Sequence, residues 1–256
     1  MNGFLLNILI SNDDGISAEG IRTLAARLEL DHTVFMVAPA REQSASSHSL
    51  TLRRPISVQK TGERSYAVDG TPADCVSLAV SGILDVRPDL VVSGINHGAN
   101  LGDDVFYSGT VSAAIEAFLL DIPSVAVSYE MKTACDFGPA AEFAANLVTF
   151  LNHHPMPKDT VLNVNIPDRI TSDHPPYKIT KQGKRIYSNA VVREVSPPES
   201  GSFTIGSGEI AFEDDIESDF FAVTHGYISI TPLHLDMTNY LSIGEIRQWK
   251  IQAGSK

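Results

Sequence analysis

Residues 4–39 read FLLNILISNDDGISAEGIRTLAARLELDHTVFMVAP, and the way this stretch divides decides the fold. Its middle, SAEGIRTLAARLEL, places Ile21, Leu24, Ala25 and Leu28 at i, i+3, i+4 and i+7, the spacing that puts four apolar side chains on one face of a helix. Ser17 stands where an N-cap is needed and Glu19 falls in the first turn, next to the positive end of the helix dipole. The flanking runs, 4–11 and 32–39, are short and almost continuously apolar, as strands buried on both faces are. Strand, helix, strand is a βαβ unit.

The pattern repeats. DLVVSG (89–94), SVAVS (124–128) and VLNVNIP (161–167) read as further buried strands. TPADCVSLAVSGIL predicts a helix with Thr71 as N-cap, Pro72 in the first turn and Asp74 completing a capping box. Further helices are expected as VSAAIEAFLL after the SGT of Ser108–Thr110, and from about Pro139 to Leu151. Alternation of this kind predicts an α/β fold with a Rossmann-like, doubly wound, mostly parallel sheet, and such sheets bind ligands at the carboxyl ends of their strands.

Composition sets outer limits. The chain has 256 residues, 43% of them apolar and 20% charged, enough for one large α/β domain or a core with an appendage. Its two cysteines, Cys75 and Cys135, form no disulfide framework or zinc pattern. Nineteen basic against 31 acidic residues give a net charge of −12, which opposes binding to duplex nucleic acid. A bound phosphate must then be held locally, by a metal or by backbone amides. No apolar run approaches the roughly 20 residues that span a bilayer, and the N-terminus lacks a basic n-region and a cleavage signal, so no membrane partner and a cytoplasmic location are expected.

After about residue 175 the texture changes to polar, β-branched and turn-rich sequence without helical periodicity. This predicts a protruding β-hairpin arm, a return strand GYISITPL (226–233) and a helical piece around Ile243–Gln252. The expected division is a catalytic core at 1–174, and an arm, return strand and oligomerisation element at 175–256. A hairpin that cannot bury a face alone packs on a partner, so self-association is expected.

Three polar clusters follow predicted strands: Asn12-Asp13-Asp14-Gly15, then APAREQSASSHS, then INHGANLGDD. In a parallel sheet they converge on one edge. Two carboxylates held together repel, and one takes up a proton unless a cation compensates. Oxygen ligation by Asp13, Asp14, a serine hydroxyl and an asparagine carbonyl suits one divalent metal ion, Mg2+, Mn2+ or Ca2+, and leaves positions for water and a phosphate. Taken alone, the same residues read equally as a polar turn that caps a helix. Asn96 and Asn100 lie among glycines 94, 98 and 102, which would let the backbone approach a ligand. Ser108, Gly109 and Thr110 open a helix, whose free N–H groups make an anion site or an ordinary N-cap. His97 and His48 are open between a chemical role and solvation, Arg41 between phosphate and surface, and His153-His154 reads as a helix terminus.

In order and spacing, ILISNDDGISAEGI, VAPAREQSASSHSLT, VDGTPADCV, PDLVVSGINHGANLGDDVFYSGTVSAAIEA, IPSVAVS, LNVNIP and GYISITPLHLDMT resemble the SurE family of stationary-phase survival proteins, metal-dependent 5′-nucleotidases. The resemblance implies a Rossmann-like core, a hairpin arm and a C-terminal exchange element that builds homodimers or homotetramers. It implies metal ligation by Asp13, Asp14, Ser44 and Asn96, with Asp13 and Asp14 catalytic, and substrate-phosphate binding by Asn100, Ser108, Gly109 and Thr110. The implied reaction is hydrolysis of nucleoside 5′-monophosphates to nucleoside and phosphate, with 3′-nucleotides and polyphosphate as further substrates of some members. Two departures stand out. Ala45 replaces the family's usual glycine and calls for an unstrained φ that would redirect its loop. SFTIGSGEIAF replaces an aromatic segment of the arm, which bears on base preference.

Two other classes compete. A haloacid-dehalogenase-like phosphatase also begins with a strand ending in aspartates, but its acid lies two residues after its nucleophile, and here the aspartates are adjacent and position 15 is glycine. A non-catalytic nucleotide-binding module would carry G-x-G-x-x-G after the first strand, which is absent.

Overall fold

The computed structural model describes residues 4–131, 136–168, 175–187, 191–193, 203–205 and 210–249. The opening unit folds as β1 (Asn7–Ser11), α1 (Glu19–Leu28) and β2 (Thr33–Pro39). Ile21, Leu24, Ala25 and Leu28 are the buried face of α1, as their spacing requires. The expected Ser17 cap does not form. The Ala18 N–H closes a turn onto the Gly15 carbonyl at 3.0 Å, so Ser17 lies within that turn and Ala18 occupies the N-cap without a side-chain bond.

Next come β3 (Val58–Lys60), β4 (Ser65–Val68) and α2 (Pro72–Leu78), which runs into a π-helical turn at Ala79–Ile83. The capping box predicted for α2 is present. Thr71 Oγ1 accepts the Asp74 N–H at 3.1 Å, and Asp74 Oδ2 accepts the Thr71 N–H at 2.9 Å. Asp74 also accepts the Thr51 N–H at 2.9 Å and its hydroxyl at 2.6 Å, fastening the loop after β2 to the same helix.

Strand β5 (Leu90–His97) precedes a 3-10 turn at Gly102–Phe106, then α3 (Gly109–Leu119), β6 (Ser124–Tyr129), α4 (Gly138–His153) and β7 (Val161–Ile166). β5 outruns its expected end at Gly94. It continues through a cis Gly94–Ile95 peptide and a register shift against β6, and so carries Asn96 and His97 on its last turn of strand. Gly94 and Gly102 approach the chain itself: a Cβ on Gly94 would lie 2.3 Å from the Val127 carbonyl, and one on Gly102 2.5 Å from that of Gly183.

In the last third, β8 (Tyr177–Ile179), α5 (Asp219–Thr224) and β13 (Ile228–Leu233) complete the body. The arm pairs its strands as nested antiparallel ladders, β9 (Arg185–Tyr187) with β12 (Ile210–Phe212) and, between them in sequence, β10 (Val191–Arg193) with β11 (Phe203–Ile205), outside the main sheet. The C-terminal helix α6 covers Tyr240–Ile246, starting three residues before the expected Ile243. Residues 250–252 of that expectation, and Cys135, lie outside the described residues.

The main sheet has nine strands in the order β3-β4-β2-β1-β5-β6-β7-β13-β8. β4 to β7 run parallel, and β3 and β13 run against their neighbours β4 and β7. Alternating side chains feed two cores. Ile8, Ile10 and Val92 pack toward α1 and α4, while Leu9 and Val91 pack toward α2 and α3. The chain leaves β1 toward β2 on one side, and β5 fills the other. The topological switch point, where such sheets bind ligands, therefore opens between the ends of β1 and β5.

Candidate active site

Asp13 and Asp14 stand just beyond the end of β1, at that switch point. Asn12 shapes the turn: its Nδ2 donates to the Gly15 carbonyl at 3.0 Å. Asp13 is only 6% exposed. Its carboxylate accepts the Thr110 hydroxyl, and backbone donors at Gly109 and Thr110 act on it as well. Burial pushes the Asp13 carboxyl above the usual carboxylate range, and these donors oppose that shift. Asp14 is half-buried and accepts the His97 N–H at 3.2 Å. Burial raises its pKa too, and the charge on Asp13 adds to the rise. The pair is thus held together at an energetic cost.

The loop after β2 is stitched across this turn. The Gln43 N–H donates to the Asp13 carbonyl at 2.8 Å, and the Ser47 N–H to the Tyr107 carbonyl at 3.1 Å, so the loop bridges the β1 turn and the start of α3. Its Ser44 hydroxyl is exposed and donates to Glu42 at 2.6 Å. Glu42 lies close enough for its charge to act on Asp14. Ala45 adopts φ 55° and Ser47 φ 51°. Alanine therefore takes the left-handed conformation that glycine would supply, at a cost of about 1–2 kcal/mol, and the unstrained φ expected of it is not found. The stitching over-determines the strain. His48 reaches Glu116 on α3 at 2.8 Å and anchors the far end of the loop.

Asn96 donates Nδ2 to the Gly98 carbonyl at 2.7 Å, which orients the amide and leaves its Oδ1 as the free end. Ser108 caps α3 by accepting the Val111 N–H at 3.1 Å. Gly109 lies so close to Asp13 that a Cβ there would sit 2.7 Å from Asp13 Cβ, and 2.9 Å from both Asp13 Oδ2 and Ser46 Oγ. Asn100 is buried, with its Nδ2 on Ser128 Oγ at 2.8 Å. The structure thus ties the residues next to Ser44 and Asn96 to the aspartate turn, Gln43 through the Asp13 carbonyl and His97 through the Asp14 carboxylate, with the N-terminus of α3 against Asp13. Arg41 is elsewhere: it is 83% exposed and faces Asp69 at 3.5 Å. His153 ends α4, and His154 stacks on Phe150.

A metal fits these residues. All four candidate donors are hard oxygens, and a divalent cation relieves both the burial and the repulsion that raise the two carboxyl pKa values. Among the described residues no three His, Cys, Asp or Glu side chains cluster, so a cation here relies on two carboxylates and neutral oxygens. A cavity of about 550 Å3 lies at the opposite sheet edge, lined by Leu6, Leu90, Ile122 and Lys158 among others, away from the polar convergence.

Sequence reasoning did not single out Ser46, whose buried hydroxyl has no partner among the described residues, or the side chains beneath Asn100. Asn163 Nδ2 and Asn165 Nδ2 donate to the Asn100 carbonyl at 2.9 and 3.0 Å, and Asn165 Oδ1 accepts the Asn100 N–H at 2.7 Å. The signal was present in LNVNIP, as two amides on one face of a strand that is otherwise apolar. The arm's attachment was also missed. Arg185 pairs with Asp104, and buried Asp219 accepts the N–H groups of Gly102 at 2.7 Å and Gly183 at 2.8 Å.

Comparison with known proteins agrees over nearly the whole chain. The family model described as Survival protein SurE matches residues 8–189. A protein of Geotalea daltonii named 5′-nucleotidase SurE is 47% identical over 247 residues, 96% of this chain and 100% of its own length. One of the same name from Geobacter sulfurreducens is 47% identical over 249 residues, covering 97% of this chain and 95% of that protein. The crystal structure of the Sure protein from Aquifex aeolicus superposes with a TM-score of 0.84 at 41% identity, covering 94% of this chain and 98% of that one. With its strand-end carboxylates at the switch point of a parallel sheet and a match of this extent, the chain belongs to the SurE survival-protein family.

Proposed function

We propose that the protein is a metal-dependent 5′-nucleotidase that hydrolyses nucleoside 5′-monophosphates to nucleoside and phosphate, with 3′-nucleotides and polyphosphate as further candidate substrates. The observation that carries this reading is the packing of the α3 N-terminus directly against the Asp13-Asp14 turn. Asp13, Asp14, Ser44 and Asn96 would hold one divalent cation, Mg2+, Mn2+ or Ca2+, which when bound supplies charge neutralisation and activation of water. Asn100, Ser108, Gly109 and Thr110 are the proposed phosphate contacts: Ser108, whose oxygen caps Val111, keeps its hydroxyl hydrogen for the substrate, and the Gly109 and Thr110 backbone donors, which act on Asp13, border the same turn.

Asp13, buried behind Thr110, is the fixed carboxylate. Half-buried Asp14 is the one that attacking water reaches, and it orients that water or takes its proton. A dehalogenase-like aspartyl-phosphate is disfavoured by the same placement, because the first aspartate is not presented to substrate.

Homodimers or homotetramers are proposed from the C-terminus. α6 buries none of its own residues, and Leu241 and Met237 are 94% and 80% exposed, an arrangement suited to exchange with a second copy. The division into a core at 1–174 and an oligomerisation part at 175–256, and a cytoplasmic location, belong to the same reading. No helix among the described residues is long and apolar enough to cross a membrane. The test is phosphate release from a panel of nucleoside 5′- and 3′-monophosphates and polyphosphate, with each cation or a chelator. Activity should require a cation and vanish in Asp13→Asn. Full activity in chelator or in that variant overturns the reading.

A further inference from the structure

Asn163 and Asn165 stand two residues apart on β7, so both side chains leave the same face of the sheet, and both are fully buried. Buried amides in a strand interior need partners. These two find theirs on a single residue of the loop above. Asn165 makes a reciprocal pair with the Asn100 backbone, accepting its N–H at 2.7 Å and donating to its carbonyl at 3.0 Å, and Asn163 donates to the same carbonyl at 2.9 Å. The loop is gripped by side chains as a neighbouring strand would grip it by main chain. Ser128, the register partner of Asn165 on β6, takes the Asn100 side chain at 2.8 Å, and the Gly98 N–H donates to the Tyr129 carbonyl at 2.9 Å. The loop therefore lies across the ends of β6 and β7 with the position and amide of Asn100 both fixed.

The grip is incomplete in an informative way. Among the described residues, Asn163 Oδ1 is buried without a hydrogen-bond partner. A half-satisfied amide is a poor choice for stability in an apolar strand, since a leucine of similar size carries no unsatisfied group, and the Asn100 carbonyl would still have its bond from Asn165. A local choice that costs stability is of the kind found where a residue positions a functional site.

We propose that Asn165 and Asn163 are positioning residues that preorganise Asn100 for the substrate's phosphate. The inference rests on Asn100 as a phosphate contact. Losing the outer-shell partners of a metal ligand typically costs about 10–100-fold in affinity or activity, and a loss of that order is expected for the partners of a phosphate contact. The experiment measures kcat/KM for a nucleoside 5′-monophosphate with Mn2+, inhibition by inorganic phosphate, and Tm, for Asn163→Leu, Asn165→Leu and Asn100→Ala, singly and combined. Asn163→Leu should lose about tenfold in kcat/KM and bind phosphate more weakly while its Tm is unchanged or raised, a combination that a merely structural role does not give. Asn165→Leu should lose more. In the Asn100→Ala background neither substitution should cost anything further. Should Asn165→Leu fail to fold, Asn163→Leu carries the test, because it orphans no backbone group. Losses that add to that of Asn100→Ala overturn the proposal, as does wild-type activity in both leucine variants while Asn100→Ala is impaired. Wild-type activity in Asn100→Ala itself removes Asn100 as a phosphate contact, and the positioning role falls with it.

Discussion

Gly109→Ala is the sharpest perturbation of the site, because local propensity and packing predict opposite results. Gly109 is the first residue of α3 and has no left-handed φ to protect. Alanine is the better helix former by up to about 1 kcal/mol. Its methyl, however, would sit 2.7 Å from Asp13 Cβ and 2.9 Å from Asp13 Oδ2. Carbon atoms in contact prefer about 3.5–4.0 Å, so Asp13 or the helix start must move by roughly 1 Å. Overpacking of this kind costs about 1–3 kcal/mol, which the propensity gain partly offsets. Net destabilisation is then about 0–2 kcal/mol, a fall in Tm of no more than about 8 °C. Activity should suffer more if Asp13 has the role proposed for it, since a displacement of about 1 Å at a catalytic group costs about 100-fold. Such a loss corresponds to about 2.7 kcal/mol of transition-state stabilisation. Gly82→Ala is the control: nothing lies within 4 Å of its Cβ position, so it should leave kcat/KM unchanged. Steady-state phosphate release and thermal unfolding on both variants settle the matter. A folded Gly109→Ala enzyme within threefold of wild type would refute the claim that α3 is pressed against Asp13 for function.

Metal binding should register in stability. Both aspartates have folded pKa values above their unfolded ones, so the metal-free fold holds more protons than the unfolded chain between the ordinary carboxylate pKa and the raised ones, and it loses stability as pH rises through that window. A divalent cation held by the ionised pair would add stability that grows with pH across the same window. At a hundredfold excess over Kd it amounts to about 2.7 kcal/mol, or roughly 5–10 °C in Tm. Asp13→Asn should abolish the cation-induced shift; an undiminished shift by calorimetry would exclude Asp13 as a ligand. At the base of the arm, Asp219→Asn turns an NH2 toward a backbone donor, because Asp219 accepts from Gly102, Gly183 and Phe220 together. It should cost about 1–3 kcal/mol, read as a lower Tm, and equal stability would show that these bonds are dispensable.

What was legible in the sequence followed from local period and local chemistry. Ile21, Leu24, Ala25 and Leu28 marked the buried face of α1 because helical spacing is fixed over ten residues, and Thr71 with Asp74 marked a cap because both partners lie within four. The clusters after β1, β2 and β5 located the candidate site through the rule for parallel sheets. Elements decided by distant pairing were missed. β3 is three exposed residues, Val58–Lys60, held by antiparallel pairing with β4, and no period exists over three positions. β8 is as short and is recruited by β13. Six-residue α5 is too brief for an amphipathic stripe. The end of β5 was placed too early because Gly94 reads as a strand terminator, whereas its missing side chain admits the Val127 carbonyl and the strand continues. Asn163 and Asn165 were overlooked because a scan for apolar runs treats polar positions as interruptions.

The electrostatics of the site then link its two ligands. The N-terminus of α3 supplies roughly half a positive charge, and part of it already faces Asp13. Against it stand two adjacent carboxylates, and Arg41, the cation closest in sequence to Ser44, is turned out to Asp69. At about 5 Å and an effective dielectric near 20, each pair of unit charges interacts by roughly 3 kcal/mol. A phosphate dianion entering beside Asp13 and Asp14 is therefore repelled by more than the helix dipole returns, unless a divalent cation reverses the sign of the turn. The two ligands must bind with positive coupling, and the coupling is reciprocal. Titration calorimetry of inorganic phosphate should show affinity at least about tenfold stronger with Mg2+ or Mn2+ than with chelator, and Mn2+ should bind correspondingly more tightly when phosphate is present. Equal phosphate affinity in both conditions would mean that the helix N-terminus alone overcomes the carboxylates, and the acidic pair would lose its rationale as a metal seat.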